Sequence, residues 1–239
     1  MAKRTLNQYK GQLSASLIAA GMNAAVRNAK RLSEDAALLL EKERYPSAAS
    51  LAILSIEESG KLSILRELAL ARDEKELKEA WRSYRSHTKK NIAWILPDLV
   101  KAGARKLEDF RPIVEDDAEH PYILDHVKQI SFYTDCLGDA HWSIPEEIVE
   151  NCLAKMLVDI AKISASNKEV TEKEIELWIK HLGPVWKKNM AWMQHALENW
   201  YDEMQESGLA AEGPNAMREF IKGNIKIPEK NKKPLGVDR

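Results

Sequence analysis

The amino-acid sequence predicts an all-α protein. Apolar residues recur at intervals of three and four over most of the chain, which is the spacing of one helix face. Helix-start signals precede several of these runs, among them Pro46, Asp73 and Thr171. Residues 132–145 depart from the helical pattern with aromatic and β-branched residues, and residues 105–120 are charged and show no pattern. Together these observations favour a single bundle of helices.

The composition gives no global sign of a binding partner. The 239 residues include 36 Lys and Arg against 37 Asp and Glu, so the net charge is −1 and any RNA binding must rest on a local patch. Cys136 and Cys152 form neither a metal-binding spacing nor a disulfide framework. No apolar run approaches the roughly 20 residues of a membrane span, and the N-terminus lacks the apolar region of a signal peptide. We therefore expect a cytoplasmic protein that does not contact membranes.

The most apolar run, residues 46–61, predicts a buried central helix that extends to about residue 71. Pro46 suits a first helical position, where its missing N–H costs nothing. Only Ser50 and Ser55 interrupt the apolar residues between positions 48 and 56, and we expect their hydroxyls to bond carbonyls one turn back.

This run ends in a dense polar segment. Lys61 stands four residues after Glu57, so we expect the two to pair along one face of the helix. Glu58 continues the apolar stripe and should need a donor from another helix. Gly60 brings no helix propensity, which predicts the close approach of a neighbouring backbone.

The other helices are predicted on either side of the central one. A long first helix is expected over residues 7–43, and a third should open at Asp73 and continue its apolar stripe to Leu99, with Pro97 kinking or ending it. The remaining predictions, in chain order, are a loop over 105–120, a helix from Pro121, a short hairpin or ordered loop over 132–145, a helix over 145–164, a long helix over 171–206 kinked at Gly183-Pro184, and a short helix over 215–222. Residues 1–222 are thus predicted to form one domain, followed by a basic, disordered tail over 223–239.

Several chemistries fail on spacing. A di-iron bundle requires Glu-x-x-His pairs, and none of the six histidines follows a glutamate by three residues. The chain has no zinc pattern, no phosphate-binding glycine loop and no Gly-x-Ser-x-Gly. We expect neither a metal nor a cofactor.

The strongest basic cluster, residues 82–91, offers an RNA-cleaving pair. His87 could move the proton of a 2′-hydroxyl while Arg82 binds the phosphate. The spacing alone is weak, because about one Arg-x(4 to 6)-His match is expected by chance in this chain. On an unbroken helix the two side chains would diverge by about 140°, unless the helix breaks there or a second subunit completes the site. The alternative is a solvated basic face.

Other polar residues have structural alternatives as well. Glu57, Glu58 and Lys61 could form a site or an ion-pair network between helices. Tyr133 and Asp135, in the segment that departs from the helical pattern, could line a cleft or hold their own loop closed.

An ordered succession of motifs resembles the bacterial AbiV family of abortive-infection proteins. It comprises Asn23, Asn28, Asp35-Ala36 and Arg44-Tyr45, then Ala48 to Lys61, then Tyr84-Arg-Ser-His-Thr-Lys-Lys90, then Lys128-Gln-x-x-x-Tyr133-x-Asp135 with Trp142 and Pro145. The succession covers roughly residues 10–165, and Ile56-Glu-Glu-Ser-Gly-Lys61 is its most specific part.

The resemblance implies a HEPN-like helical bundle that acts in defence against phage. Many HEPN proteins are homodimers that cleave RNA without metal through an Arg-x(4 to 6)-His motif at the dimer interface. Carried over to this sequence, the resemblance makes Arg82 the phosphate contact and His87 the general base or acid, while the Arg-x-His spacing of Arg85 and His87 leaves open which arginine takes part. We expect a supporting polar cluster of Glu57, Glu58, Lys61, Tyr133 and Asp135. Further RNA contacts, to tRNA, mRNA or rRNA, would come from the rest of the basic cluster, namely Arg85, Lys89, Lys90 and Asn91.

Two other functions stay open at this stage. The first is a non-enzymatic HEPN-fold protein that arrests translation or growth by binding a phage component, such as an activator protein, or a host component. The second is a ligand-binding helical domain that uses the cleft of Glu57, Glu58 and Lys61, which would predict saturable stabilisation by a nucleotide.

Overall fold

The computed structural model describes residues 6–115, 117–166 and 168–223, and within them it confirms the all-α architecture. The predicted tail lies outside these residues apart from Gly223. The helices are α1 Ala15–Glu41, α2 Tyr45–Ala69, α3 Glu74–Arg85, α4 His87–Lys90, α5 Leu96–Lys101, α6 His120–Phe132, α7 Pro145–Ile148, α8 Asn151–Ser164, α9 Glu172–Leu182, α10 Met190–Glu206 and α11 Ala216–Lys222. Short 3-10 helices cover Ile92–Ile95, Leu107–Ile113 and Gly183–Val185, and strands β1 Asp135–Leu137 and β2 His141–Ser143 form one hairpin.

The antiparallel helices α1 and α2 form the centre of the bundle. Small residues line their contact, and Ala29, Ala36 and Ala52 are fully buried there. Their size lets the two backbones approach closely. The Ser55 hydroxyl donates to the carbonyl of Ala29 across this contact at 2.7 Å. The expectation that Ser55 bonds within its own helix is therefore wrong.

Two apolar clusters cover α2 along its length. Towards its C-terminal half, Leu65 and Leu68 pack with the start of α1, with Trp81 of α3 and with Ile175 of α9. Towards its N-terminal half, Ile53 and its neighbours pack with the end of α1 and with α6 and α8. This coverage on several sides is what the nearly uninterrupted apolar run predicted.

The helix boundaries differ from prediction in two places that matter. The first helix begins at Ala15, where the Ser14 hydroxyl accepts the N–H of Leu17, and not near residue 7. The third helix ends at Arg85 and does not continue to Pro97, because Ser86 has extended backbone angles (φ −84°, ψ 128°). The chain then resumes as the short helix α4.

The segment that departed from the helical pattern forms the predicted hairpin. Strands β1 and β2 pair antiparallel, with Cys136 opposite Trp142. The next predicted helix divides in two, α7 and α8, because Val149 has an extended backbone (ψ 100°). The predicted loop over 105–120 contains the 3-10 helix Leu107–Ile113.

The C-terminal helix α9 packs against the start of α1 and the C-terminal half of α2. Thr171 and Glu174 form the predicted capping box at the start of α9. The side chain of Asn23 ties this start to α1, since it both donates to the carbonyl and accepts the N–H of Val170. Among the residues that the structure describes, no helix combines the length and apolar character that crossing a bilayer requires.

Candidate functional site

The break at Ser86 gives His87 a direction that one continuous helix would not allow. The Ser86 hydroxyl accepts the N–H of Lys89, so it caps α4 and starts the helix anew. Nδ1 of His87 then lies 2.6 Å from Oε2 of Glu57 on the central helix. The Glu57 side chain is only 3% exposed, whereas that of His87 is 53% exposed. The pair therefore joins the buried interior to the surface.

Glu57 is the centre of the polar cluster. Nζ of Lys128, on α6, lies 2.6 Å from its Oε1, and Nζ of Lys90, on α4, lies 3.3 Å from its Oε2. Lys128 also contacts Oδ1 of Asp125 at 2.7 Å. Two carboxylates and two ammonium groups thus balance in charge without His87.

The ionisation of Glu57 follows from the same contacts. Burial by itself would raise its pKa, but the hydrogen bonds from Lys128 and His87 and the positive charges of Lys128 and Lys90 outweigh burial, so the pKa lies below its ordinary value. Glu57 is therefore a carboxylate at neutral pH and can only accept hydrogen bonds. In the tautomer that donates to this carboxylate, the His87 ring carries its hydrogen on Nδ1, and Nε2 is the nitrogen that can accept a proton.

Gly60 makes the contact between α2 and α4 possible. A Cβ atom at this position would overlap the carbonyl oxygen of Lys90. The close backbone approach predicted at Gly60 is thus confirmed. Because Lys90 and His87 both belong to α4, this close approach also brings His87 within reach of Glu57.

The predicted partners of Glu57 and Glu58 are wrong: Glu57 was expected to pair with Lys61, and Glu58 with a donor from another helix. Lys61 pairs with Glu58 at 2.5 Å, and its ammonium also lies over the ring of Tyr84, 5.3 Å from the centroid. Glu57 takes its donors from α4 and α6 instead. The physical reason is the orientation of α2, which directs Glu57, and not Glu58, into the junction of three helices.

The structure does not bring Arg82 to the Glu57 cluster. Arg82 is exposed, makes no hydrogen bond or ion pair with the described residues, and lines a separate surface hollow with Lys10 and Lys78. Arg85 lines the same hollow but already donates to the carbonyls of Tyr9 and Trp81. Arg82 is therefore the more available of the two for a ligand.

The remaining residues predicted to bind RNA differ in exposure. Lys89 is exposed, while Lys90 and Asn91 are buried beneath it. Neither amide atom of Asn91 has a hydrogen-bond partner in the described part of the chain. Direct phosphate contacts by Lys90 and Asn91 would require α4 to lift away from α2.

Tyr133 and Asp135 lie away from the buried cluster. Both are exposed, Tyr133 directly after α6 and Asp135 in β1. The carboxylate of Asp135 accepts the N–H of Cys136, and the Tyr133 ring packs on Phe132. These contacts fit the alternative that both residues hold their own loop.

Lys128 and Asp125 are the site residues that sequence reasoning missed. They stand three residues apart on α6, and both reach the cluster from the face that carries the buried Leu124. A lysine and an aspartate at helical spacing on an apolar face were the available signal, because such charges require partners.

The cluster has a donor set that a metal could in principle use. Ligand atoms of Glu57, His87 and Asp125 lie within 4.8 Å of one another. However, the ammonium of Lys128 contacts both carboxylates. A divalent cation would have to displace this lysine against its charge, so the residues present fit an ion-pair network better than a metal centre.

Comparison with known proteins identifies the family. The sequence model of the AbiV family, a HEPN group, matches residues 17–166, which is more than half of the chain. The match includes α2, α4 and α6, the three helices that build the Glu57 cluster. Comparison with curated proteins and with solved structures found no match. The chain belongs to the AbiV family of HEPN-domain abortive-infection proteins.

Proposed function

We propose that this protein protects cells against phage by cleaving RNA without a metal ion, and that it acts as a homodimer. The observation that best supports the proposal is the His87 ring. Its Nδ1 is held by the buried carboxylate of Glu57 at 2.6 Å, while the ring itself is half-exposed. A general base needs such an arrangement, in which one nitrogen is fixed and the other is accessible.

The proposed reaction is transfer of the RNA phosphate to its own 2′-oxygen. Nε2 of His87 takes the 2′-hydroxyl proton, the 2′-oxygen bonds to the adjacent phosphorus, and the bond to the 5′-oxygen breaks. A protonated imidazole then gives its proton to the departing 5′-oxygen. In a homodimer the same histidine of the second copy could supply that proton. The products end in a 2′,3′-cyclic phosphate and a 5′-hydroxyl.

Arg82 has the second role in the proposal. Its guanidinium has no acceptor within the described residues, but it lines a hollow separate from the Glu57 cluster. The proposal therefore requires that the homodimer bring Arg82 of one copy to the phosphate at His87 of the other, where it stabilises the charge that develops. Lys89 and Arg85 would hold neighbouring phosphates of tRNA, mRNA or rRNA. Lys90 would act through Glu57, unless RNA binding lifts α4 and exposes it together with Asn91.

The direct test is cleavage of RNA in EDTA. The wild-type protein should yield products with cyclic phosphate ends, and His87→Ala should abolish them. His181→Ala is the matched control, because Nε2 of His181 contacts Oε2 of Glu203 at 2.6 Å elsewhere in the molecule. Equal cleavage by wild type and His87→Ala would refute the proposal.

The biological role requires a separate test in cells. Expression of the wild-type protein should lower phage plating, and His87→Ala should restore it. Sedimentation of the purified protein with and without phage lysate tests the predicted homodimer and an activating phage protein. A protein that remains monomeric while it cleaves RNA would remove the dimer from the proposal.

One observation favours a second function, that of a non-enzymatic binding protein. The hairpin and the end of α6 expose several large apolar side chains, namely Phe132, Tyr133, Leu137 and Trp142. Exposed apolar groups that lie together are typical of surfaces that bind other proteins. This function predicts that Trp142→Ser abolishes phage protection while His87→Ala preserves it.

A further inference from the structure

A cavity of about 360 Å³ lies far along α2 from the Glu57 cluster, between α2, α9, α10 and residues 209–211. Arg66 of α2 lines it, nine residues beyond Glu57, which is about 13 Å along a helix. All its other lining residues follow position 166 and thus lie outside the region matched to the AbiV family. Nothing in the family match assigns this cavity a role.

Arg66 is a cation for which the described residues provide no hydrogen-bonding acceptor. Its guanidinium makes no hydrogen bond or ion pair with the residues that the structure describes, although it lies 5.9 Å from the ring centroid of Trp178. Burial lowers its pKa below the ordinary value, and the charge of Glu174 only partly offsets this effect. A partly buried guanidinium has five N–H donors to satisfy. Holding it unpaired costs free energy that a bound anion would recover.

The rest of the wall sets the shape and charge of the ligand. Apolar and aromatic side chains supply most of the surface, among them Val170, Ile175, Trp200, Tyr201 and Met204. Lys168 at the rim adds a second positive charge. Glu174 also lines the cavity, and one of its carboxylate oxygens, Oε2, already accepts the N–H of Thr171. Two cations and one acid therefore leave a net positive charge beside a mainly apolar wall.

We propose that this cavity binds a small organic anion, in which a carboxylate or phosphate group pairs with Arg66 and a flat apolar body packs against Trp200 and its neighbours. The volume is within the range of small-molecule sites. The site is separate from the proposed ribonuclease centre and does not depend on it. A ligand here would join α2 to the C-terminal helices.

Binding can be tested with simple probes by calorimetry and thermal unfolding. The two anionic test ligands are phenyl phosphate and 3-phenylpropionate. Inorganic phosphate lacks the apolar body, and 3-phenylpropanol lacks the charge. We expect both aromatic anions to raise the Tm by about 5–10 °C at a hundredfold excess over Kd, and neither control compound to match them. The stronger of the two anions identifies the preferred acid group.

Variants of Arg66 distinguish this site from general surface binding. Arg66→Met should lower the affinity for the aromatic anions by at least about tenfold, and Arg66→Lys, which keeps the charge but not the planar fork, by less. Arg66→Met should fold without loss of Tm, because the cation it removes forms no ion pair with the residues that the structure describes. Arg31→Met, on the outer face of α1, is the control and should bind as wild type does. Equal affinity of wild type and both Arg66 variants, or no binding by the wild type, would overturn the proposal.

Discussion

Nδ1 of His87 lies 2.6 Å from Oε2 of Glu57, so a carboxylate of the central helix fixes the ring that we assign to catalysis. The two residues are thirty positions apart and meet because the chain breaks at Ser86 and because Gly60 admits α4. This relationship makes Glu57 both a structural and a positioning residue. Its two roles can be measured separately.

Replacing Glu57 should destabilise the fold strongly. Glu57→Gln leaves the buried ammonium groups of Lys90 and Lys128 without their shared carboxylate, and breaking a buried pair costs about 3–5 kcal/mol. Glu58→Gln is the matched control, since it removes only the pair with Lys61, whose side chains are each 18% exposed, and it should cost less than Glu57→Gln. Denaturant unfolding measures both. Equal losses for the two variants would show that Glu57 does not organise the cluster.

The contribution of Glu57 should depend on pH. Its pKa in the folded protein lies below the ordinary value of 4.5, so its stabilisation is complete above that value and disappears as pH falls through the folded pKa. The free energies of unfolding should be compared for the wild-type protein and Glu57→Gln, because the hydrogen bonds from Lys128 and His87 that lower this pKa are then both present. Their difference should shrink as the pH falls below 4.5. A difference that grows as the pH falls would show that folding raises the pKa of Glu57 and does not lower it.

Gly60→Ala should destabilise the protein and reduce RNA cleavage together. The added Cβ would overlap the Lys90 carbonyl and push α4, with His87, away from α2; overpacking of this kind costs about 1–3 kcal/mol. Gly21→Ala in α1 is the control, because its Cβ would lie 3.7 Å from the nearest atom, Cδ1 of Leu65. That variant should gain about 0.5–1 kcal/mol from helix propensity. Unfolding and cleavage assays check both outcomes.

Arg82→Ala should separate activity from stability. The side chain is exposed and makes no hydrogen bond with the described residues, so its removal should change the unfolding free energy by less than about 0.5 kcal/mol. Cleavage should fall by roughly 100- to 1000-fold if Arg82 stabilises the phosphate charge. Arg31→Ala provides a control at another exposed arginine of similar type. Full activity of Arg82→Ala would exclude this arginine from the site.

Local signals predicted the helical fold and the capping box at Thr171, because both depend on residues close in sequence. The glycine at position 60 predicted a close approach of another backbone but not that Lys90 would make it. The partner of Glu57 was beyond such reasoning. Spacing within α2 offered Lys61, but Lys128 reaches Glu57 from 71 residues away, and only the packing of α6 determines that contact.

The break at Ser86 was hidden for a different reason. The apolar stripe continues from Leu77 past this position, so periodicity favoured one helix to Pro97. Ser86 instead caps α4 through its hydroxyl, a local hydrogen bond that competes with helix continuation. The sequence thus predicted His87 as a candidate and Glu57 as part of its supporting cluster, but not the direct contact between the two side chains.

Chemical rescue tests the central claim most directly, because it asks whether an imidazole beside Glu57 moves the proton. His87→Gly should be inactive on RNA in EDTA, and added imidazole should restore cleavage in proportion to its concentration, whereas it should not change the activity of His181→Gly. If imidazole restores no cleavage, or if His87→Gly cleaves RNA as fast as the wild-type protein, His87 is not the general base.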